Sequence, residues 1–353
     1  MSWVKELARP EIVALKPYEH AAWEPSLERL HANELPWRSL GDETEAGLNR
    51  YPQPQPHELV SALAELYGVR PNQLLVGRGS DEAIDLLVRA FCRAGRDAVM
   101  VCPPTFGMYS VAARIQGAEV VTVPLLPDFA LDEPAVLQRC SPEVKLLFLC
   151  SPNNPTGNLL DEQAILRVAA QLAGRAIVVV DAAYIEFSGE FSASRCLSRY
   201  LQEIPHLAVL RTLSKAHALA GARCGALLAD PEVVALLRKV IPPYAIAQPT
   251  VEAVLTQLEP GPLAVSRQHI DLIRSERARL SAALREIGAV RQVWPSEANF
   301  LLVEFAAAGA ALEAARRARL LVRDVRSQPG LGKALRITVG SVAQNDRLLQ
   351  ALR

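Results

Sequence analysis

Apolar residues along this chain gather in two kinds of pattern. One is the short, almost unbroken run, at 73–77, 98–102, 120–123, 144–150, 176–180, 207–210 and 224–229. The other is a stripe recurring every three to four positions. Leu59, Leu63 and Leu66 form one within 57–67, and Ile84, Leu87, Val88 and Phe91 another within 81–91. Ile165, Val168, Ala169 and Leu172 form a third within 161–173. Runs predict strands and stripes predict helices. A further helix is expected from Tyr109 to about Gln116. Unbroken runs alternating with helices predict an α/β fold whose large domain holds a mainly parallel sheet, buried on both faces and flanked by helices. Ser80 is the predicted N-cap of the helix that Asp81 and Glu82 open. From about 232 to 290 the pattern is helical, with interruptions at Pro242-Pro243 and Pro249. Residues 266–287 read as one long amphipathic helix stopping near Gly288. Beyond it, strands at 299–303, 321–323 and 334–339, a helix near 307–319 and a final helix predict a smaller α+β domain. The expected division is a large domain over 45–265, and a small domain made of 266–353 completed by 1–44.

Composition narrows the function classes. The 353 residues include 38 Lys plus Arg and 38 Asp plus Glu. This balance gives no general attraction to nucleic acid or to a membrane surface, so any anion site must be local. Cys92, Cys102, Cys140, Cys150, Cys196 and Cys224 form no C-x-x-C pair and mostly sit in apolar runs. They read as buried, reduced thiols of a cytoplasmic protein, and no metal site is expected. The N-terminus has no signal-peptide core, and no apolar run approaches the ~18 residues needed to span a bilayer.

Three polar residues, Asn154, Asp181 and Lys215, each fall just past the C-terminal end of a predicted strand. Open α/β sheets bind ligands at that edge. Lys215 lies among apolar residues, with Thr212 and Ser214 before it and Arg223 after it. A desolvated lysine loses its proton more readily and attacks aldehydes. Hydroxyls and an arginine suit a phosphate, and an aldehyde bearing a phosphate is pyridoxal phosphate. On its own the stretch is equally a capped helix start with a surface lysine. The turn Arg78-Gly79-Ser80 is likewise either an anion-binding helix start or a helix start that binds nothing.

The order of motifs resolves the choice. They are Tyr51-Pro52, Gly77-Arg-Gly-Ser-Asp-Glu82, Pro103-Pro-Thr-Phe-Gly-Met-Tyr109, Ser151-Pro-Asn-Asn-Pro-Thr-Gly157, Asp181-Ala-Ala-Tyr184, Thr212-Leu-Ser-Lys-Ala216, Ala220-Gly-Ala-Arg-Cys-Gly225 and Leu335-Arg-Ile-Thr-Val-Gly340. The chain resembles, over nearly its whole length, the fold-type I aminotransferases that use pyridoxal 5'-phosphate. Within them it is similar to the histidinol-phosphate aminotransferase branch.

The resemblance implies roles. Lys215 would hold the cofactor's aldehyde carbon and then shuttle a proton at the substrate Cα. Asp181 would pair with the protonated pyridine nitrogen, and Asn154 and Tyr184 would bond the ring oxygen. Phe106 would stack on the ring, in place of the tyrosine frequent there. Ser80, Asp81, Thr212, Ser214 and Arg223 would cup the phosphate, Asp81 through its backbone N–H with its carboxylate turned away. Tyr51 would reach the phosphate of a partner subunit, implying a homodimer with shared sites. Arg336 would grip the α-carboxylate of glutamate, Arg323 the phosphate of histidinol phosphate, and Tyr18 and Asn33 would stand on the substrate side. The segment Asn33-Glu34-Leu35-Pro36 and His31 depart from the branch's pattern. The implied reaction is amino transfer between glutamate and imidazole acetol phosphate in histidine biosynthesis. The alternatives on the same scaffold are an aromatic amino-acid aminotransferase and a phosphothreonine decarboxylase.

Overall fold

The computed structural model describes residues 2–21, 24, 26–189 and 197–353, so Cys196 lies outside the described residues. Seven strands form the large sheet: β1 (Leu74–Gly77), β2 (Ala98–Val101), β3 (Glu119–Thr122), β4 (Val144–Cys150), β5 (Ile177–Asp181), β6 (Leu207–Thr212) and β7 (Gly225–Leu228). Their order is β1-β7-β6-β5-β4-β2-β3. Neighbours from β3 through β6 pair in parallel, whereas β7 runs antiparallel to both β6 and β1. All but β3 are buried along their whole length or nearly so, as unbroken apolar runs require.

Among the described residues, twelve α-helices surround the strands: α1 (Trp3–Leu7), α2 (Pro10–Ala14), α3 (His57–Tyr67), α4 (Ser80–Phe91), α5 (Met108–Gln116), α6 (Glu133–Arg139), α7 (Glu162–Gln171), α8 (Pro231–Leu237), α9 (Gln248–Gln257), α10 (Pro260–Arg285), α11 (Ala308–Arg317) and α12 (Val342–Leu352). The apolar faces of α3, α7 and α9 close one side of the sheet, and those of α4, α5 and α8 the other. Helix α3 begins and ends where expected, because Pro56 precedes it and Gly68 takes the left-handed conformation at φ 65°. The side chains of Asp161 and Asp230 cap α7 and α8 by accepting from first-turn N–H groups.

Four strands make the second sheet, β8 (Val290–Val293), β9 (Phe300–Phe305), β10 (Arg323–Asp324) and β11 (Ala334–Thr338), in the antiparallel order β10-β11-β9-β8. Its core joins α10, α11 and α12.

Three expectations need correction. Ser80 is the first residue of α4, and Gly79 holds the cap position with φ 85°. Pro249 sits in the first turn of α9, where its missing N–H costs nothing, so it opens a helix instead of breaking one. Residues 3–14 do not complete the small domain. Val4, Leu7 and Ala8 are buried with Ile84, Leu87 and Phe91, and the N–H and guanidinium of Arg9 donate to the carbonyls of Ala90 and Arg89. The apolar stripe of α4 on the large domain is the surface that they complete.

Candidate active site

The parallel strands β4 and β5 and the end of β6 deliver their C-termini to one edge of the sheet, where one cavity is bordered by Gly79, Ser80, Asp81, Phe106, Cys150, Asn154, Asp181, Ala183, Tyr184, Thr212, Ser214, Lys215, Ala220 and Arg223. Ten expected cofactor residues are therefore brought together from six separate segments of chain. Lys215 is in no helix. It stands in the turn-rich connection between β6 and β7. Its chain neighbours Leu213 and Ala216 are buried, while Lys215 itself opens into the cavity. The apolar pocket expected around it is thus only half present, because the facing wall is polar. Partial burial, then the charge of Arg336, lower its pKa from the usual lysine value. Its Nζ lies 5.8 Å from the centre of the Tyr184 ring.

Asp181 closes the floor and is 3% exposed. It accepts from the hydroxyl of Tyr109 at 2.8 Å and from the N–H of Ala183 at 3.1 Å. Burial pushes its pKa up to about 6, against the lowering effect of those two donors. Tyr109 was not anticipated. It is fully buried, stacks on Phe148 at 4.8 Å and meets the edge of Phe106 at 5.5 Å. Its position three residues after Phe106 at the start of α5 is the one signal for it in the sequence.

On the opposite wall, Asn154 Nδ2 donates to the Tyr184 hydroxyl at 3.3 Å, and Arg336 Nη1 donates to Asn154 Oδ1. Burial raises the pKa of Tyr184, so its hydroxyl is a donor at neutral pH. Arg336 lies over the Phe300 ring at 5.2 Å. Antiparallel pairing sets Arg323 directly opposite Arg336, so both arginines are on one face of the small sheet. Asn154 borders the cavity, whereas Asn153 bonds Thr105, Pro104 and Thr156 inside the loop.

The other end of the cavity is a cup. Thr212 Oγ1 and Ser214 Oγ are 3.0 Å apart, and Arg223 Nη1 reaches Ser214 Oγ at 3.5 Å. Ser80 and Asp81 add the free N–H groups of the first turn of α4. Gly225 makes this approach possible, since a Cβ there would lie 2.7 Å from the carbonyl carbon of Gly79 and 2.8 Å from the N of Ser80. The expectation that the Asp81 carboxylate turns away is not met. Its Oδ2 pairs with Arg223 Nη2 at 3.3 Å, within the cup.

Tyr18, Asn33 and Tyr51 do not border this cavity in their own chain. Tyr51 is exposed and stacks on Tyr244 at 4.7 Å. Tyr18 is also exposed and packs edge-on against His20. Asn33 takes φ 58°, next to a Glu34 whose carboxylate binds Arg29 at 2.7 Å, Arg50 at 3.0 Å and the N–H of Tyr51 at 2.7 Å. The atypical segment is therefore an organised loop.

Residues 32–352 match the family model for aminotransferases of class I and II. The chain belongs to that family. It is 52% identical to the histidinol-phosphate aminotransferase of Xanthomonas euvesicatoria pv. vesicatoria (strain 85-10), over 92% of this chain and 89% of that one. It is 47% identical to that of Stenotrophomonas maltophilia (strain R551-3), over 99% and 96%. Among solved structures, the histidinol-phosphate aminotransferase of Sinorhizobium meliloti in complex with pyridoxal-5'-phosphate matches with a TM-score of 0.76 and 25% identity, over 86% of this chain and 82% of that one. No helix among the described residues is long and apolar enough to cross a membrane.

Proposed function

We propose that this aminotransferase moves an amino group between glutamate and imidazole acetol phosphate, yielding 2-oxoglutarate and histidinol phosphate, as a cytoplasmic step of histidine biosynthesis. Pyridoxal 5'-phosphate fits the donor set of the cavity. A lysine amine, a buried carboxylate, a hydroxyl and an amide stand at one end, and two hydroxyls, an arginine and free helix N–H groups at the other. When bound, the group supplies an electrophilic aldehyde and an electron-accepting ring. Lys215 would hold it and carry a proton to and from the substrate Cα, for which a lowered pKa is suited. Asp181, once paired with a cation, keeps its negative charge despite its burial. Phe106 supplies an aromatic face, and Asn154 and Tyr184 supply donors to the ring oxygen. Ser80, Asp81 N–H, Thr212, Ser214 and Arg223 would bind the phosphate.

The observation that carries the substrate assignment is the pairing of Arg323 with Arg336. Glutamate presents two carboxylates and histidinol phosphate one phosphate, and two guanidiniums on one sheet face serve both. Tyr51 is assigned to a partner's site, in a homodimer, and Tyr18 and Asn33 to the substrate side. The exposure of Tyr51 away from its own cavity supports this, as do the exposed apolar residues Leu30, Leu35, Trp37 and Leu40 of the same segment.

Purified protein supplied with pyridoxal phosphate should absorb in the visible, and should form glutamate from histidinol phosphate and 2-oxoglutarate. Protein that stays colourless contradicts the cofactor. Glutamate formed from phenylalanine alone points to the aromatic reaction, and carbon dioxide released from phosphothreonine to the decarboxylase. Arg323→Ala should raise KM for histidinol phosphate roughly ten- to a hundredfold, and for glutamate much less. Equal losses for both substrates would remove Arg323 from the phosphate.

A further inference from the structure

We propose that the Asp81 carboxylate is a built-in competitor for the phosphate cup: it occupies Arg223 until a phosphate displaces it, and so weakens phosphate binding. The inference rests on the cup belonging to a phosphate, as proposed above. Asp81 is the second residue of α4, where its N–H is one of the free donors expected to face an anion. The same residue sends its carboxylate back across the cup, 3.3 Å from Arg223 Nη2. Both side chains are about half exposed, so packing does not lock the carboxylate against the arginine and the pair can open. Asp81 borders the cavity together with Lys215 and Asp181. Its negative charge raises the pKa values of both, which places the charge inside the site and not on the outer surface of the helix.

The arginine is held by other contacts. It takes φ 55°, a left-handed geometry, and its Nη1 donates to the carbonyl of Ala220 at 3.2 Å and to Ser214 Oγ at 3.5 Å. Gly79 leaves room for its Nη2, which a Cβ at that position would meet at 2.9 Å. Asp81 is therefore not needed to aim the guanidinium. What it adds is one negative charge, beside the place where a dianion must sit. Arg223 cannot give the same Nη2 fork to both, and the dianion gains more from it. The carboxylate then swings to solvent or stays as a repulsive neighbour. Either course subtracts from affinity.

The test is calorimetric titration of cofactor-free protein with inorganic phosphate. Asp81→Asn keeps the shape and the backbone N–H and removes the charge. The variant should bind phosphate about five- to tenfold more tightly at low ionic strength. The gain should shrink as salt is added, because exposed charges are screened over ~10 Å at 0.1 M. Asp85→Asn removes a charge one turn further along α4, where Asp85 pairs with Arg89, and should leave phosphate affinity unchanged. Unchanged or weaker binding by Asp81→Asn would overturn the inference, since the carboxylate would then be inert or would position Arg223. A gain that ignores salt would overturn it as well, because charge would not be the cause. Wild-type protein that binds neither phosphate nor pyridoxal phosphate would instead remove the cofactor reading itself.

Discussion

At the scale of single residues, the costliest group in the site is Asp181. Its native pKa is raised to about 6 from 3.8 because burial strips the carboxylate of water. A carboxyl whose pKa is higher folded than unfolded favours the folded state at low pH. That contribution fades as the pH rises from about 4 through about 6, and above this the charged group is a burden. Cofactor-free Asp181→Asn, whose amide oxygen can accept from the Ala183 N–H while its Nδ2 donates to the Tyr109 hydroxyl, should therefore be more stable than wild type at pH 8. The gap of 3.8 to about 6 caps the gain at about 3 kcal/mol. It should close as the pH falls towards 4. Urea unfolding at several pH values measures it, and a wild type more stable at pH 8 would contradict the burden. Asp181, Asn154 and Lys215 were legible in the sequence because each follows an apolar run that can only be a strand. Tyr109 stood in a quoted motif, but its bond to Asp181 was not legible. A tyrosine in a helix carries no mark of the carboxylate above it, which arrives from a strand 72 residues away.

At the scale of elements, the cup depends on one strand running backwards. The run 224–229 looks like every other strand in the sheet, so its apolar pattern fitted a parallel strand equally well. The connection from β6 decides: residues 213–224 are at the lower limit of a parallel crossover, and they form no helix to carry one. Here the connection is the lysine segment, in turns, and β7 returns beside β6 to pair with β1. Gly225 lies where β7 passes the turn at Gly79 and Ser80. Gly225→Ala must push backbone atoms that are 2.7 to 2.9 Å from the new methyl. A loss of about 1–3 kcal/mol in unfolding free energy is expected, together with weaker pyridoxal phosphate retention on dialysis. Unchanged stability and retention would show that the turn can yield. Strand β8 escaped prediction for a different reason: Val290-Arg291-Gln292-Val293 is mostly exposed and offers just two apolar residues.

At the scale of the whole molecule, most of the fold followed from its unbroken apolar runs, but the docking of the N-terminal residues did not. Val4 and Leu7 declare a helix with one greasy side, not which surface that side will find. Tertiary packing chose α4. The segment that follows shows the converse. Leu30, Trp37 and Leu40 are 94%, 76% and 105% exposed, too much apolar surface in one short loop to suit a lone subunit. Sedimentation should find a dimer at micromolar concentration. Trp37→Ser combined with Leu40→Ser should weaken it by about tenfold or more, since a few apolar anchors dominate such interfaces. A wild-type monomer, or a dimer indifferent to the double change, would exclude this surface.

The edge position of β1 has one more consequence. Among the described residues its one partner in the sheet is β7. The cup is built from the residues just after β1 and just before β7, and a phosphate held between Ser80 and Arg223 would pin the two strands at a point 143 residues apart along the chain. Without that pin, the edge pair is where the large sheet frays first. The backbone amides of Leu74–Gly77 and Gly225–Leu228 would then exchange their hydrogens slowly or quickly according to whether the cup is filled. An edge strand that contributes no side chain to the chemistry would thus report the occupancy of the site.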